Sequence, residues 1–490
     1  MASFCGYLSV FIPICLQWLA WVVTANQKNI PVWTWLDGSM LINQSSVMTL
    51  HTMGKQYPGS RADSAVWTDT NTGVMWMFGG RVGSSGSLPA LNELWRYSML
   101  SQDWTNIAHD REHQWPQSRY AAAVCGMPGS FFVLHGGAES AENLLSDTWL
   151  YHLHNESWTL LQESSNPGAQ SNRLHWCTRN ALWLLSIKET TIDSNKSLTM
   201  WRYSLVNYEW EKVSANFGDV LSRQNLGQKL GLTTWVVNDT ELYLLGARPS
   251  DIGHNDDERC QGKKQECALW RFSTISNKWR RVSVNTNKRG EEVVDSDLIE
   301  FNAVPGCPAK GASWQDTDSN LWLQDTDTCE KKQHARSDLW MFDLRHSRWE
   351  HFKSLTSPQY QLGYEIVEGT SDIRNNPTQR AYCASWSWNN TYYLFGGLLA
   401  RNGSNGALND LWSFQLIDAE SLKGRPTSTL AISPVGVFFL SLGALCFLAL
   451  FVFSVIFFSK CSTGPRLKPP NHFGDKIRYS PVETDEVFIT

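Results

Sequence analysis

The chain is 490 residues long and carries 42 Lys and Arg against 47 Asp and Glu, a formal charge of −5. That balance excludes the basic footprint on which nucleic-acid binding depends. Eleven cysteines agree with an oxidising compartment but fall short of a dense disulfide framework.

In chain order, the first element is an apolar run from Leu8 to Val23, followed by Thr24 and Ala25. The small residues suit a signal-peptidase cut after Ala25, making 1–25 a signal peptide, with a signal anchor as the rival reading. Next stands the strand Val32-Trp33-Thr34-Trp35-Leu36, which reads like Ser157-Trp158-Thr159-Leu160-Leu161 further on.

A Trp pair nine positions apart then recurs five times: Trp95 and Trp104, Trp149 and Trp158, Trp201 and Trp210, Trp270 and Trp279, Trp340 and Trp349. Each first Trp lies in an alternating aromatic stretch, and turn-type residues separate it from the second, the pattern of a β-hairpin. Upstream of each hairpin is another pair of short apolar runs, ending in Gly79-Gly80, Gly136-Gly137, Ser186, Gly246, Gln324 and Gly396-Gly397. Two hairpins per repeat give four strands, at the period of a propeller blade. Asn409-Asp410-Leu411-Trp412 opens a sixth unit that lacks a second Trp. The strand at Val32 to Leu36 is expected to supply it and close the ring, removing two open sheet edges at once. The Trp residues themselves are expected to fill the space between blades.

The diglycine followed by Asp-Leu-Trp and a distal Trp resembles the kelch repeat. That resemblance implies an all-β, six-bladed kelch-type propeller over about residues 30–418. Some kelch-type propellers, those similar to galactose oxidase, are copper enzymes, but no matching Tyr-His ligand pair is evident: Tyr151-His152 belongs to an ordinary repeat. Attractin-like proteins also display kelch propellers outside the cell, and their cysteine-rich and lectin modules are not found in this sequence.

In four antiparallel strands a to d, the a–b and c–d turns share one face and the b–c and d–a connections the other. The c–d spacing is constant and the a–b turns short, whereas the d–a stretch grows from fifteen residues (Trp104 to Arg119) to thirty-one (Trp279 to Lys310, and Trp349 to Arg380). The b–c loop from Arg248 to Ala268 is also long. This long-loop face is the expected binding face. A basic residue precedes each first strand: Arg61, Arg119, Arg173, Lys229, Lys310 and Arg380. Together they form a candidate ring for a carboxylate, sulfate, sialic acid or acidic peptide. The opposing reading is structural, because Glu93, Asp147, Asp338 and Asp410 stand before the first Trp of their blades and can neutralise neighbouring Arg residues.

No catalytic constellation is present, and no cofactor is expected. His109 with His113, and His152 with His154, lack a third ligand at useful spacing. Asp316-x-Asp318-x-Asn320 resembles a calcium loop, yet Leu321 stands where the tight turn needs Gly, and alignment with the Asp69 turn of the first blade explains it without metal.

Disulfide candidates are Cys260 with Cys267 and Cys307 with Cys329; Cys125, Cys177 and Cys383 fall in first strands near the axis, where buried free thiols are common and at least one is left unpaired. Sequons occur at Asn43, Asn155, Asn195, Asn238, Asn389 and Asn402. Residues 419–433 form a linker, and Val435 to Phe458, uncharged throughout, is the centre of a transmembrane helix over 434–459. Lys460, Arg466 and Lys468 follow it, so the positive-inside rule puts the tail, 460–490, in the cytosol and the propeller in the lumen or outside the cell. In the tail, Tyr479-Ser480-Pro481-Val482 matches a clathrin-adaptor sorting pattern, and Cys461 is a palmitoylation candidate. The expected molecule is a single-pass type I membrane glycoprotein whose propeller binds an extracellular protein or an acidic glycan. A secretory-pathway enzyme with a site at the propeller channel is the alternative.

Overall fold

Strand alternation sends successive side chains to opposite faces, and in this chain both faces are apolar: β7 is buried at all eight of its positions. Sheets of that kind must be covered on both sides, which stacking them around an axis achieves. The computed structural model describes residues 29–47, 55–83, 90–109, 114–163, 165–171, 174–189, 196–217, 233–246, 268–284, 299–301, 305, 311–324, 337–353, 365–401 and 404–418.

The described residues form a six-bladed all-β propeller. The first strand is β1 (Asn29–Asp37). Blade one is β2 (Ala65–Asp69), β3 (Val74–Phe78), β4 (Leu94–Ser98) and β5 (Asp103–Ile107); blade two is β6 (Ala123–Met127), β7 (Phe131–Ala138), β8 (Leu144–His152) and β9 (Ser157–Leu161). Blade three is β10 (His175–Thr178), β11 (Ala181–Glu189), β12 (Lys196–Ser204) and β13 (Glu209–Val213); blade four is β14 (Thr233–Val237), β15 (Glu241–Leu245), β16 (Leu269–Ser273) and β17 (Lys278–Arg281). In blade five, β18 (Ile299–Phe301) adds an outer strand to β19 (Ser313–Gln315), β20 (Leu321–Gln324), β21 (Leu339–Asp343) and β22 (Arg348–Phe352). Blade six comprises β23 (Ser371–Asp372), β24 (Ala384–Trp388), β25 (Thr391–Arg401) and β26 (Ser404–Asp418), with β1 lying between β26 and β23. The inner strands β2, β6, β10, β14, β19 and β24 neighbour one another in turn and return to β2, so the ring is closed.

The N-terminal strand completes the last blade, as its sequence implies. Trp33 pairs with Phe414 in register, the place held by Trp104 opposite Tyr97, Trp158 opposite Tyr151 and Trp279 opposite Phe272. The apolar core is correspondingly divided into seams, each shared by two blades: Trp76 and Phe78 of blade one pack with Phe132 and Trp158 of blade two, and Trp33 packs with Trp314 of blade five. Trp rings meet mostly edge-on or tilted, as their quadrupoles favour.

Among the described residues no helix is long and apolar enough to cross a membrane. The expected signal peptide, linker, membrane span and tail, including Cys461, Tyr479 and Val482, lie outside the described residues.

Candidate functional site

Of the six basic positions, the described ones lie where the chain enters a first strand, on the face of the b–c and d–a connections. Three are described, and all are buried: Arg61, Arg119 and Arg380 are 1%, 1% and 2% exposed. Each is held in the same way. Arg61 Nη2 donates to Glu93 Oε2 at 2.6 Å; Arg119 donates from both terminal nitrogens to Asp147 at 2.7 and 2.8 Å; Arg380 donates to both oxygens of Asp410. The Nε of each donates to a carbonyl two residues back, and an Nη to the carbonyl of the first glycine of the pair, Gly79, Gly136 or Gly396. The indole of the first Trp caps the acid, Trp95 on Glu93, Trp149 on Asp147 and Trp412 on Asp410.

Burial pushes the Glu93 and Asp147 carboxyls up, but the guanidinium and indole donors outweigh it and hold both below the usual carboxylate range. With its charge and donors satisfied, each Arg is a strut joining strands a, b and c of its own blade. For Arg61, Arg119 and Arg380 the structural reading therefore replaces the open anion ring. Arg173, Lys229 and Lys310 lie outside the described residues. In blade five the acid, Asp338, faces His351 Nε2 at 3.0 Å, and the imidazole lies flat on Trp340 at 4.0 Å.

The diglycine has a reason in the same geometry. A Cβ on Gly79 would come within 2.3 Å of the Arg119 carbonyl of the next blade, and one on Gly396 within 2.5 Å of the Arg61 carbonyl. Gly80 and Gly397 donate to those carbonyls at 2.9 Å. The strut of one blade is thereby tied to the diglycine of the blade before it.

One cluster at this face was not read from the sequence. Arg81, immediately after the first diglycine, donates from Nε to the buried Asp63 at 3.1 Å, and its guanidinium lies 5.4 Å from the Tyr120 ring centre and 5.3 Å from that of Tyr382. Asp63 donates its backbone N–H to Tyr382 O and accepts from Ala121 N, so blades six, one and two are linked where their inner strands begin. The available signal was positional: of the three diglycines only the first is followed by a charged residue, the other two being followed by Ala138 and Leu398.

The remaining candidates sort by position. Cys125 and Cys177 form a disulfide, and Cys383 is a free thiol; Cys260, Cys267, Cys307 and Cys329 lie outside the described residues. Of the sequons, Asn155, Asn238 and Asn389 stand in turns between strands, the last two with φ of 52° and 47°, whereas Asn43 uses its Oδ1 to accept from Ala407 N at 3.2 Å. Asn195 and Asn402 lie outside the described residues. Asp316 is a turn residue: its carboxylate accepts from Asn320 N, Asn320 Nδ2 and Trp322 Nε1, closing the β19–β20 hairpin. Among the described residues no group of three or more His, Cys, Asp or Glu is arranged to hold a metal.

Residues 37–246 match the family model of the KLHDC2/KLHL20/DRC7 Kelch-repeats domain. Among solved structures, the one described as "Structure of YjhT" is similar over 72% of this chain and 95% of its own, at 12% identity and a TM-score of 0.43. No curated protein matches.

Proposed function

We propose that this kelch-repeat propeller protein is the recognition head of a single-pass type I membrane glycoprotein and binds a protein partner outside the cell or in the secretory lumen. A protein-binding role accords with the kelch propeller itself; the compartment and the anchor are further steps. The observation that carries the compartment is the Cys125–Cys177 bridge, which ties the inner strands of blades two and three. Cytosolic reductants keep such pairs open, and oxidising compartments keep them closed. The uncharged segment from Val435 to Phe458 and the placement of every sequon before it support the same topology.

The partner surface is the long-loop face. Three of the six basic positions are spent on internal carboxylates, which favours a protein over an acidic glycan. Tyr120 and Tyr382 flank Arg81, whose guanidinium Asp63 holds, and offer that protein two part-exposed aromatic side chains, residues of the kind that anchor interfaces. Tyr479 to Val482 would give the same molecule an adaptor contact in the cytosol.

The test is surface biotinylation and glycosidase digestion of the full-length chain, followed by proximity labelling at the cell surface. A biotinylated, glycosidase-sensitive chain that labels a defined protein, with labelling lost in a Tyr120→Ala, Tyr382→Ala variant of unchanged melting temperature, is the expected result. A chain protected from biotin and insensitive to glycosidase overturns the topology; labelling unchanged in the variant overturns the face.

A further inference from the structure

The opposite face, formed by the a–b and c–d turns, carries a cleft of about 580 Å³ in the seam between blades three and four. It falls within the range of about 300–1,000 Å³ typical of small-ligand sites. Comparison with the seam between blades one and two shows why it is open. There, Trp76 packs against Phe132 and Tyr151, and Arg96 reaches across to Glu156 of the next blade at 2.9 Å. In the third-to-fourth seam the equivalent of Trp76 is Trp183, and it packs on Phe272, but Leu242 stands where Phe132 would be. The equivalent of Glu156, two residues before the distal Trp, is Asn277, too short and uncharged to reach across. Arg202, the counterpart of Arg96, instead pairs with Glu211 of its own blade at 2.9 Å. Two changes in sequence thus remove both the filler and the bolt.

The inner end of the cleft is closed by the a–b turns: Arg179 N donates to Asp239 Oδ1 at 2.8 Å, and its guanidinium lies 3.6 Å from Oδ2. The outer end is closed by the chain following β13, where Asn216 exchanges backbone hydrogen bonds with Asn277 and Trp279. The lining charges, Arg179 and Arg202 against Glu211 and Asp239, sum to zero. Trp183 forms part of the wall but is only 6% exposed, with the Arg202 guanidinium over its ring at 5.8 Å. The site therefore offers no apolar pocket for a side chain and no net field for an ion. It offers planar donors and acceptors, from Arg, Asn, Asp and Glu, along a half-open and mainly polar cleft.

We infer that this cleft is a binding site for a neutral oligosaccharide, whose closely spaced hydroxyls each donate and accept. An extended peptide would need a free strand edge or apolar sockets, and the cleft supplies neither. The sequon Asn238, beside Asp239 at the rim, means that the sugar has two sources, a partner's glycan or the chain's own.

The test probes full-length protein with a printed array of neutral and sialylated oligosaccharides, alongside an Asn277→Glu variant. Because Glu156 occupies the same turn position at nearly the same φ, 51° against 53° for Asn277, the substitution fits the backbone and rebuilds the bridge to Arg202. Retention of neutral oligosaccharides, at least tenfold weaker in Asn277→Glu with an unchanged melting temperature, and little altered by salt, is expected. A second variant, Arg202→Met with Glu211→Gln, should lose the same retention without closing the cleft. Repeating both on an Asn238→Gln background separates the sources: retention on either background marks a partner's glycan, and retention only after removal of the sequon marks the chain's own. Absence of retention on both backgrounds, equal retention by the Asn277→Glu variant, or retention confined to sialylated sugars and abolished by salt overturns the proposal.

Discussion

Arg119 lays its two terminal nitrogens on the two carboxylate oxygens of Asp147 at 2.7 and 2.8 Å, and it does so while fully buried. Removing Arg119 leaves Asp147, 28% exposed and still capped by the Trp149 indole, without its two strongest donors, at a cost of about 1.5–3 kcal/mol. Arg119→Ala is therefore expected to destabilise the propeller by roughly that amount, and Arg119→Lys by not much less, since an ammonium cannot reproduce the bidentate fork. Urea unfolding measures it; an Arg119→Ala protein of unchanged stability would show that the pair is idle.

Ring closure makes the next prediction. Trp33 is 4% exposed and packs on Trp314, Trp412 and Phe414, although it lies more than 370 residues before the last two. Trp33→Ala should cost about 3–5 kcal/mol, the range for a buried large-to-small change. Deleting residues 31–36 should go further, exposing β26 as an edge and causing aggregation or retention. Normal secretion and melting of the deletion would contradict the closed ring.

The fold was legible because the repeat writes its chemistry into residue type. Distal Trp positions, diglycines and the Trp33 strand each have one place in a blade, and the structure puts them there. The site was less legible, because charge in a sequence carries no burial. Arg61, Arg119 and Arg380 read as a ring when counted alone and as struts once Glu93, Asp147 and Asp410 are set beside them; the full burial of the guanidinium groups and the indole caps on the acids, which decide between the two, are not written in the spacing. The Cys125–Cys177 pair was hidden for a related reason. Cys125 holds the inner-strand position where Trp176, Trp235 and Trp314 sit, each donating an indole N–H to the next blade at 2.9 to 3.0 Å. Blade two makes its link to the next blade with sulfur, and spacing along the chain does not announce it.

A pH dependence is built into blade two. His135 is fully buried between Thr148, whose hydroxyl lies 2.8 Å from Nδ1, and the Trp210 ring, and burial pushes its pKa down to about 3. The folded imidazole stays neutral while the unfolded one takes a proton below its ordinary pKa of about 6.5, so stability is full above that value and falls by about 1.4 kcal/mol per unit as pH drops towards 3. His135→Phe, which restores the residue found at Phe78 and Phe395, should flatten that slope between pH 6.5 and 4.5. Parallel slopes for the variant and the parent would remove His135 as the cause.

The disulfide closes the argument about compartment and stability together. Its partners are 52 residues apart, and restricting a loop of that length in the unfolded chain stabilises the fold by about 4 kcal/mol in the chain-entropy account. Cys125→Ser is accordingly expected to lower the melting temperature by several degrees, and reductant should do the same to the parent but nothing further to the variant. The free thiol Cys383 does not substitute, since its sulfur is packed where a Cβ on Gly397 would come within 2.6 Å and burial pushes its pKa up to about 12, leaving almost no thiolate to attack a disulfide. Peptide mapping under non-reducing conditions should therefore recover Cys125 linked to Cys177, with Cys383 alkylated only after unfolding. Recovery of Cys125 and Cys177 as free thiols from protein isolated without reductant would remove both the staple and the chief support for a lumenal or extracellular propeller.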